Sequence, residues 1–222
     1  MEAFIISGGH IETSQLNELY KQRSKDNNIL VIAADKGIEV CIALGIKPDY
    51  IIGDFDSAPS ECLEYYSKFC SNVIVLNPVK DDTDTEAALQ LAYEHSDGDI
   101  YVFGATGGRL DHFMGNIALL LQGCEKGRKV FILDNQNRIS LFKDKIELQK
   151  NNQFGRYVSF IPWGGNARGV TLKGFKYCLD NAELRSDNTL GISNEIVDAE
   201  AYVFVEKGYL LIVESKDSDQ YN

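Results

Sequence analysis

Two pairs of aspartates have a spacing that could do chemistry. Asp54 and Asp56 lie in Gly53-Asp54-Phe55-Asp56-Ser57, directly after the apolar run Tyr50–Gly53. In extended chain, residues two apart point to one side, so this spacing predicts paired carboxylates at the carboxyl end of a strand. Asp81 and Asp84 lie in Lys80-Asp81-Asp82-Thr83-Asp84-Thr85-Glu86, between the apolar run Val73–Leu76 and a helical pattern. Three residues apart, they can also face one direction. Each group alone fits a blander reading, because turns and helix N-termini favour aspartates through capping and the macrodipole. Jointly they say more. Four carboxylates converging at one sheet edge repel one another, and a hard cation relieves the conflict. Magnesium suits the role, since it bridges a few carboxylates to substrate phosphates while keeping water ligands. Asp54, Asp56, Asp81 and Asp84 are therefore the expected metal ligands of an enzyme that transfers phosphate from a nucleotide.

Gly104-Ala105-Thr106-Gly107-Gly108-Arg109-Leu110-Asp111-His112 follows a further apolar run. Its glycines allow close backbone approach, and its amides can cradle phosphate near a helix start. Arg109 could hold phosphate oxygens bidentately and stabilise charge during transfer. The spacing is neither that of a Walker A loop nor that of a dinucleotide fingerprint. A tight strand–helix turn with a surface arginine is the plainer alternative, and His112 by itself reads as a packing or capping residue. Ser7-Gly8-Gly9 and Ala34-Asp35-Lys36-Gly37 end the first two apolar runs and are weaker signals, since Asp35 could simply cap a helix.

These loops need a frame, and the pattern around them supplies one. Ala3–Ser7, Ile29–Ala34, Tyr50–Gly53, Val73–Leu76 and Ile100–Phe103 are short runs rich in Ile and Val, each closed by Gly, Asp or Asn. Such near-continuous apolar runs suit parallel strands covered on both faces. Helical spacing appears after Pro59 (Leu63, Tyr66, Phe69), over Thr85–His95 and over Leu110–Leu121. Strand–helix alternation predicts a doubly wound α/β domain over residues 1–134. Beyond that point helical periodicity fades. Alternating stretches such as Tyr157-Val158-Ser159-Phe160 predict an all-β domain over 135–222. Within it, Ala201–Val205 and Tyr209–Val213 flank Glu206-Lys207-Gly208 and read as a β-hairpin.

Composition narrows the class. The 222 residues are 44% hydrophobic and 25% charged, ordinary for a globular protein. A net charge of −11 works against nucleic-acid binding. Five cysteines (Cys41, Cys62, Cys70, Cys124 and Cys178) with no C-x-x-C pair predict neither a disulfide framework nor a zinc site. They suit a reducing compartment. With no basic-apolar leader at Met1-Glu2-Ala3-Phe4 and no membrane-length apolar run, a soluble cytoplasmic protein is expected.

In order along the chain, these residues resemble the thiamine pyrophosphokinase family. The matching marks are Ala34-Asp35-x-Gly37, Gly53-Asp54-Phe55-Asp56-Ser57, Lys80-Asp81-x-Thr83-Asp84-x-Glu86 and Gly104-x-Thr106-Gly107-Gly108-Arg109-x-Asp111-His112. Gly174-Phe175-Lys176-Tyr177 and Gly191-Ile192-Ser193-Asn194-Glu195 continue the likeness into the second half. The resemblance implies an N-terminal α/β domain, a C-terminal β-sandwich for thiamine binding and dimerisation, and a homodimer with active sites at the subunit interface. It implies transfer of a diphosphoryl group from ATP to thiamine with magnesium. Asp54, Asp56, Asp81 and Asp84 would handle metal and triphosphate. Asp35, Gly37, Lys80, Thr106, Gly107, Arg109, Asp111 and His112 would lie in the nucleotide region, and Ser193 and Asn194 would recognise thiamine. Lys36 departs from the small residue common at its position. Trp163 matches no family mark and reads as a packing residue. Two other classes remain to be weighed: an aspartate-nucleophile phosphatase built on Asp54, and a non-enzymatic nucleotide or thiamine sensor.

Overall fold

The structure, a computed structural model, describes residues 1–25, 27–55, 60–77 and 82–218. It divides into two compact units, Met1–Asn135 and Gln136–Asn222.

The first unit is built on parallel strands β1 (Glu2–Ile6), β2 (Ile29–Ala34), β3 (Tyr50–Gly53), β4 (Val73–Val75), β5 (Ile100–Phe103) and β6 (Val130–Leu133). Their spatial order is β4-β3-β2-β1-β5-β6. Ala3, Phe4, Ile5 and Ile6 are all fully buried, so β1 is covered on both faces. Each large apolar side chain buried this way contributes about 1.5–3 kcal/mol, which explains why the central strand reads as an unbroken apolar run. Helices α1 (Thr13–Arg23), α2 (Gly37–Leu44), α3 (Ser60–Phe69), α4 (Asp84–His95) and α5 (Leu110–Glu125) alternate with the strands.

Two local devices set the helices that matter below. At Gly37, the first residue of α2, a Cβ would fall 1.8 Å from the carbonyl oxygen of Ile6. Only glycine lets the helix start against β1 so closely. Helix α4 begins with Thr83 at its N-cap, and the Thr83 hydroxyl accepts the Glu86 amide at 3.2 Å. Threonine, not aspartate, is the capping side chain there.

The second unit holds antiparallel strands β7 (Asn137–Gln149), β8 (Tyr157–Lys173), β9 (Leu179–Leu184) and β10 (Glu200–Ser215), in the order β7-β10-β8-β9. The hairpin expected around Glu206-Lys207-Gly208 does not form. Strand β10 continues through these residues, and both of its halves pair with β7 on one side and β8 on the other. The register shifts there against both neighbours, and Gly208 takes a φ of 105°. The turn-like residues therefore make a bulge. Its effect is visible in the packing: Ala201, Val203 and Val205 before it, and Leu210 and Ile212 after it, enter one core with Phe160, Leu172 and Phe175. The buried set switches from odd to even positions across the bulge, so the bent strand lines the same interior twice. The chain is thus an α/β unit followed by a β-sandwich unit.

Arg138, near the start of β7, and Glu214, near the end of β10, form a forked pair with N–O distances of 2.6 and 2.7 Å. Glu214 is only 4% exposed and also accepts the Phe154 amide at 3.2 Å. A buried carboxylate persists only with such partners.

Candidate active site

Strand order reverses at β1, whose neighbours are β2 and β5. Open α/β sheets bind ligands at the carboxyl ends of strands beside such a switch point. A cleft of about 410 Å³ lies there. Its wall takes Ser7, Gly8 and Gly9 after β1, Asp35 after β2, Asp54 after β3, Thr83–Thr85 at the start of α4, and Gly104, Ala105, Gly107, Gly108 and Arg109 of the loop after β5. The loops after β1 and β5 touch so tightly that a Cβ on Gly9 would sit 2.2 Å from the Gly104 carbonyl oxygen. Side chains brace the walls: Ser7 Oγ and Thr85 Oγ1 are 3.1 Å apart, and Asn116 Nδ2 donates to the Ala105 carbonyl at 2.9 Å. Thr85 and Asn116 line the cleft and were not singled out in the sequence, where a polar residue inside a helix carries no signal of its own.

Asp35, Asp54 and Asp84 bring three carboxylates to this cleft. Asp35 is held above the ordinary carboxylate range, first by burial and then by the fields of Asp84 and Asp54, against a bond from the Lys36 amide. Its backbone is left-handed (φ 51°), as is that of Phe55 (φ 50°). Strain of this kind is held by the surrounding structure and concentrates at functional sites. Strand β3 ends at Gly53 and the left-handed Phe55 follows, so Asp54 lies beyond the strand and strand alternation does not aim it. Asp56, Lys80 and Asp81 lie outside the described residues. Among the described residues no group of three ligating side chains closes on a single point. The donor set nevertheless fits a hard cation, because the charges of Asp84 and Asp54 raise the cost of ionising Asp35 and a cation removes that cost.

This has a measurable consequence. A carboxyl whose folded pKa lies above its unfolded value binds protons more tightly when folded, so its ionisation costs stability as pH rises through that window and above it. Asp35→Asn therefore raises the melting temperature by a few degrees at pH 7.5 without metal, and magnesium narrows the difference. Asparagine tolerates the left-handed backbone, so no strain is added. Thermal melts of both proteins, with and without magnesium, check it.

The loop after β5 turns on glycines: Gly104, Gly107 and Gly108 have φ of 70°, 78° and 69°. Arg109 is the N-cap residue of α5 and lies on the cleft wall, as does His112. Its guanidinium forks onto Asp111, with Nε–Oδ1 at 3.1 Å and the second contact at 2.5 Å, and Asp111 Oδ1 also accepts the His112 amide. That fork holds the Asp111 carboxyl down at about 2. Both partners are solvent-exposed, so the pair is weak and an anion in the cleft can replace it. Gly37, Thr106 and Asp111 are not part of the cleft wall.

The likeness to known proteins now has a place to attach. The family description "Thiamin pyrophosphokinase, catalytic domain" matches residues 21–132, and "Thiamin pyrophosphokinase, vitamin B1 binding domain" matches residues 143–210. Thiamine pyrophosphokinase of Bacillus subtilis (strain 168) is 37% identical over 193 residues, covering 86% of this chain and 90% of that protein. The chain belongs to the thiamine pyrophosphokinase family. The crystal structure of thiamine pyrophosphokinase from Bacillus subtilis superposes with a TM-score of 0.85 at 34% identity, covering 98% of this chain and all of that one. Thiamine pyrophosphokinase 1 of Oryza sativa is 30% identical, and the match spans 62% of its length.

Ser193 and Asn194 fall within the stretch that matches the family's vitamin B1 binding domain. Ser193 is exposed, has a φ of 56° and donates its amide to Ser159 Oγ at 3.0 Å. Asn194 is different, being only 4% exposed. Its Oδ1 accepts the amides of Tyr177 (3.0 Å) and Glu195 (2.9 Å), and its Nδ2 donates to the Tyr177 carbonyl at 2.8 Å. In this family member the asparagine side chain ties backbone together.

Proposed function

We propose that this chain is a thiamine diphosphokinase, transferring a diphosphoryl group from ATP to the hydroxyl of thiamine to give thiamine diphosphate and AMP. The observation that carries the proposal is the cleft at the β1/β5 switch point, where Asp35, Asp54 and Asp84 face a glycine-rich loop ending in Arg109. Amides of that loop and the guanidinium of Arg109 suit phosphate oxygens. The hydroxyl oxygen of thiamine forms a bond to the β-phosphorus of ATP, and the bond from that phosphorus to the oxygen bridging the α-phosphate breaks. AMP leaves. The hydroxyl proton passes to a cleft carboxylate. In-line transfer of this kind depends on positioning and charge neutralisation, which the rigid strand ends and Arg109 provide.

Asp54 and Asp84, with Asp56 and Asp81, would hold magnesium, and Asp35 would assist. The ion supplies neutralisation of the triphosphate when bound. The thiazolium of thiamine is itself a cation and is favoured by the same acidic surroundings. EDTA is expected to lower thiamine-dependent AMP formation more than about a hundredfold, and excess magnesium to restore it. Unchanged turnover in EDTA contradicts the metal role.

We also propose a homodimer with active sites at the subunit interface, and a cytoplasmic setting. Tyr202 and Phe204 support the first, being 46% and 48% exposed on one face of β10. Large aromatic surface left open in this way marks contact sites. Cys41, Cys70, Cys124 and Cys178, which form no disulfide among the described residues, support the second. No described helix is long and apolar enough to cross a membrane. The phosphatase reading is disfavoured, because a nucleophilic aspartate of that type follows the first strand of its domain and Asp54 follows β3. A pure sensor would not need the carboxylates and Arg109 together.

A further inference from the structure

Glu86 closes the acidic motif that begins at Lys80, yet it is not part of the cleft wall. Thr83-x-x-Glu86 has the spacing of a capping box, in which the glutamate would return to the N-cap amide. Its carboxylate is engaged with the next helix: Gln122 Nε2, on α5, donates to Glu86 Oε1 at 2.8 Å. Gln90 Nε2, one turn further along the same face of α4, donates to Gln122 Oε1 at 2.8 Å. A single side-chain amide of α5 is thus pinned by two residues of α4.

The shape of α5 gives this relay its importance. The buried residues Ile117, Leu120, Gly123 and Cys124 all lie in the second half of the helix, whereas Leu110 and Met114 near its start are 77% and 52% exposed. The second half is the anchor, and it comes so close to the sheet that a Cβ on Gly123 would fall 2.4 Å from Val130 Cγ2. The first half carries Arg109 and His112 to the cleft, and Asn116 ties it to its own loop at the Ala105 carbonyl. Packing leaves slack beside the anchor. A cavity of about 10 Å³ separates Leu89 of α4 from Leu119 and Leu120 of α5. Apolar contact is non-directional, so the hydrogen-bonded relay is what fixes how α5 is turned and shifted against α4.

We propose that Glu86 and Gln122 are positioning residues for the transfer, setting the Arg109 end of α5 against the Asp84 start of α4. Asp84 is the first residue of α4 and lies close to Glu86, while Arg109 precedes the first residue of α5. At 1.5 Å per residue the lever from Gln122 to Arg109 is roughly 20 Å long, so a small rotation at the relay becomes a larger displacement at the guanidinium. A misplacement of about 1 Å at the reacting centre can cost on the order of a hundredfold in rate. Neither Glu86 nor Gln122 touches substrate. The inference rests on the diphosphoryl-transfer reading above and adds how its two charge-handling groups are kept in register.

Steady-state kinetics on the full chain test it, with a melting curve to show each variant folded at the assay temperature. Gln122→Glu sets two carboxylates against each other, and Glu86→Gln/Gln122→Glu restores one amide–carboxylate pair with the partners exchanged. Gln122→Glu is expected to lower kcat about tenfold while KM for thiamine stays within about twofold of wild type. The exchanged pair recovers kcat to within about threefold of wild type. In an Arg109→Ala background Gln122→Glu adds less than about twofold, because it acts through that guanidinium. If Gln122→Glu does not fold, Gln122→Leu removes the bond without adding charge and carries the same expected loss. Wild-type kcat in the folded Gln122 variant overturns the inference. So does an exchanged pair no more active than Gln122→Glu, or a further tenfold loss in the Arg109→Ala background. Wild-type protein that forms no thiamine-dependent AMP removes the functional reading itself, whereas active wild type with an unaffected Gln122 variant removes this inference alone.

Discussion

Asp84→Asn is expected to lower kcat for thiamine-dependent AMP formation by about 10²–10³-fold while the fold survives, the scale lost when one preorganised charge-handling group is removed. The separation of effects comes from the start of α4. Thr83 provides the cap, so Asp84 is not needed to begin the helix. Losing its charge from the first turn costs only about 0.3–1 kcal/mol of dipole stabilisation. Asp84 also contributes to the field that raises Asp35, so its removal relieves repulsion in the metal-free protein. Steady-state kinetics at saturating ATP and magnesium, with a melting curve for the same preparation, measure both halves. Wild-type turnover in Asp84→Asn would take this residue out of the chemistry. A collapse of the melting transition would show instead that the carboxylate is structural.

Arg138→Ala is expected to cost about 3–5 kcal/mol of stability in the second unit, the range for breaking a buried pair and leaving one charge uncompensated. Glu214 is 4% exposed and would keep only the Phe154 amide of the partners described above. The same pair fastens the beginning of β7 to the end of β10, so the loss falls where the two strands close the register. Arg138→Met/Glu214→Leu recovers most of the loss, since apolar residues of similar volume carry no desolvation penalty. Trp163 is the sole tryptophan and stands in β8, so its fluorescence during denaturation reports this unit directly. A midpoint in Arg138→Ala equal to wild type would mean that solvent reaches Glu214.

How much of this was legible in the sequence depended on whether local pattern or long-range partners decided the outcome. Of the five strands read from the chain, β1, β2, β3 and β5 form because a strand buried on both faces must be apolar throughout, with β1 the extreme case, whereas β4 lies at the sheet edge with Val75 exposed. The short run Val130–Leu133 was passed over at the end of a long helical stretch, yet it forms β6 because β5 presents an open edge to it. Glu206-Lys207-Gly208 has the composition of a turn. Only the presence of β7 and β8 on either side of β10 makes it a bulge, and nothing within those three residues encodes that. At the site, the acidic motifs were legible as motifs, and strand ends at a switch point bring Asp35, Asp54 and Asp84 to one cleft. From its own neighbours Asp35 could simply cap a helix, and the resemblance put it in the nucleotide region; with β2 beside β3 it stands on the cleft wall with Asp54 and Asp84. For Asn194 the resemblance implied a thiamine contact, and a single sequence does not report its burial or the bonds its amide makes to the backbone of Tyr177.

The central claim is the transfer of two phosphates in one step, and the products decide it. Purified protein incubated with magnesium, ATP and thiamine, then resolved by chromatography, is expected to yield AMP and thiamine diphosphate in equal amounts. Omitting thiamine abolishes the AMP. ADP with thiamine monophosphate would contradict the diphosphoryl mechanism, and no thiamine-dependent product from folded protein would contradict the assignment as a whole.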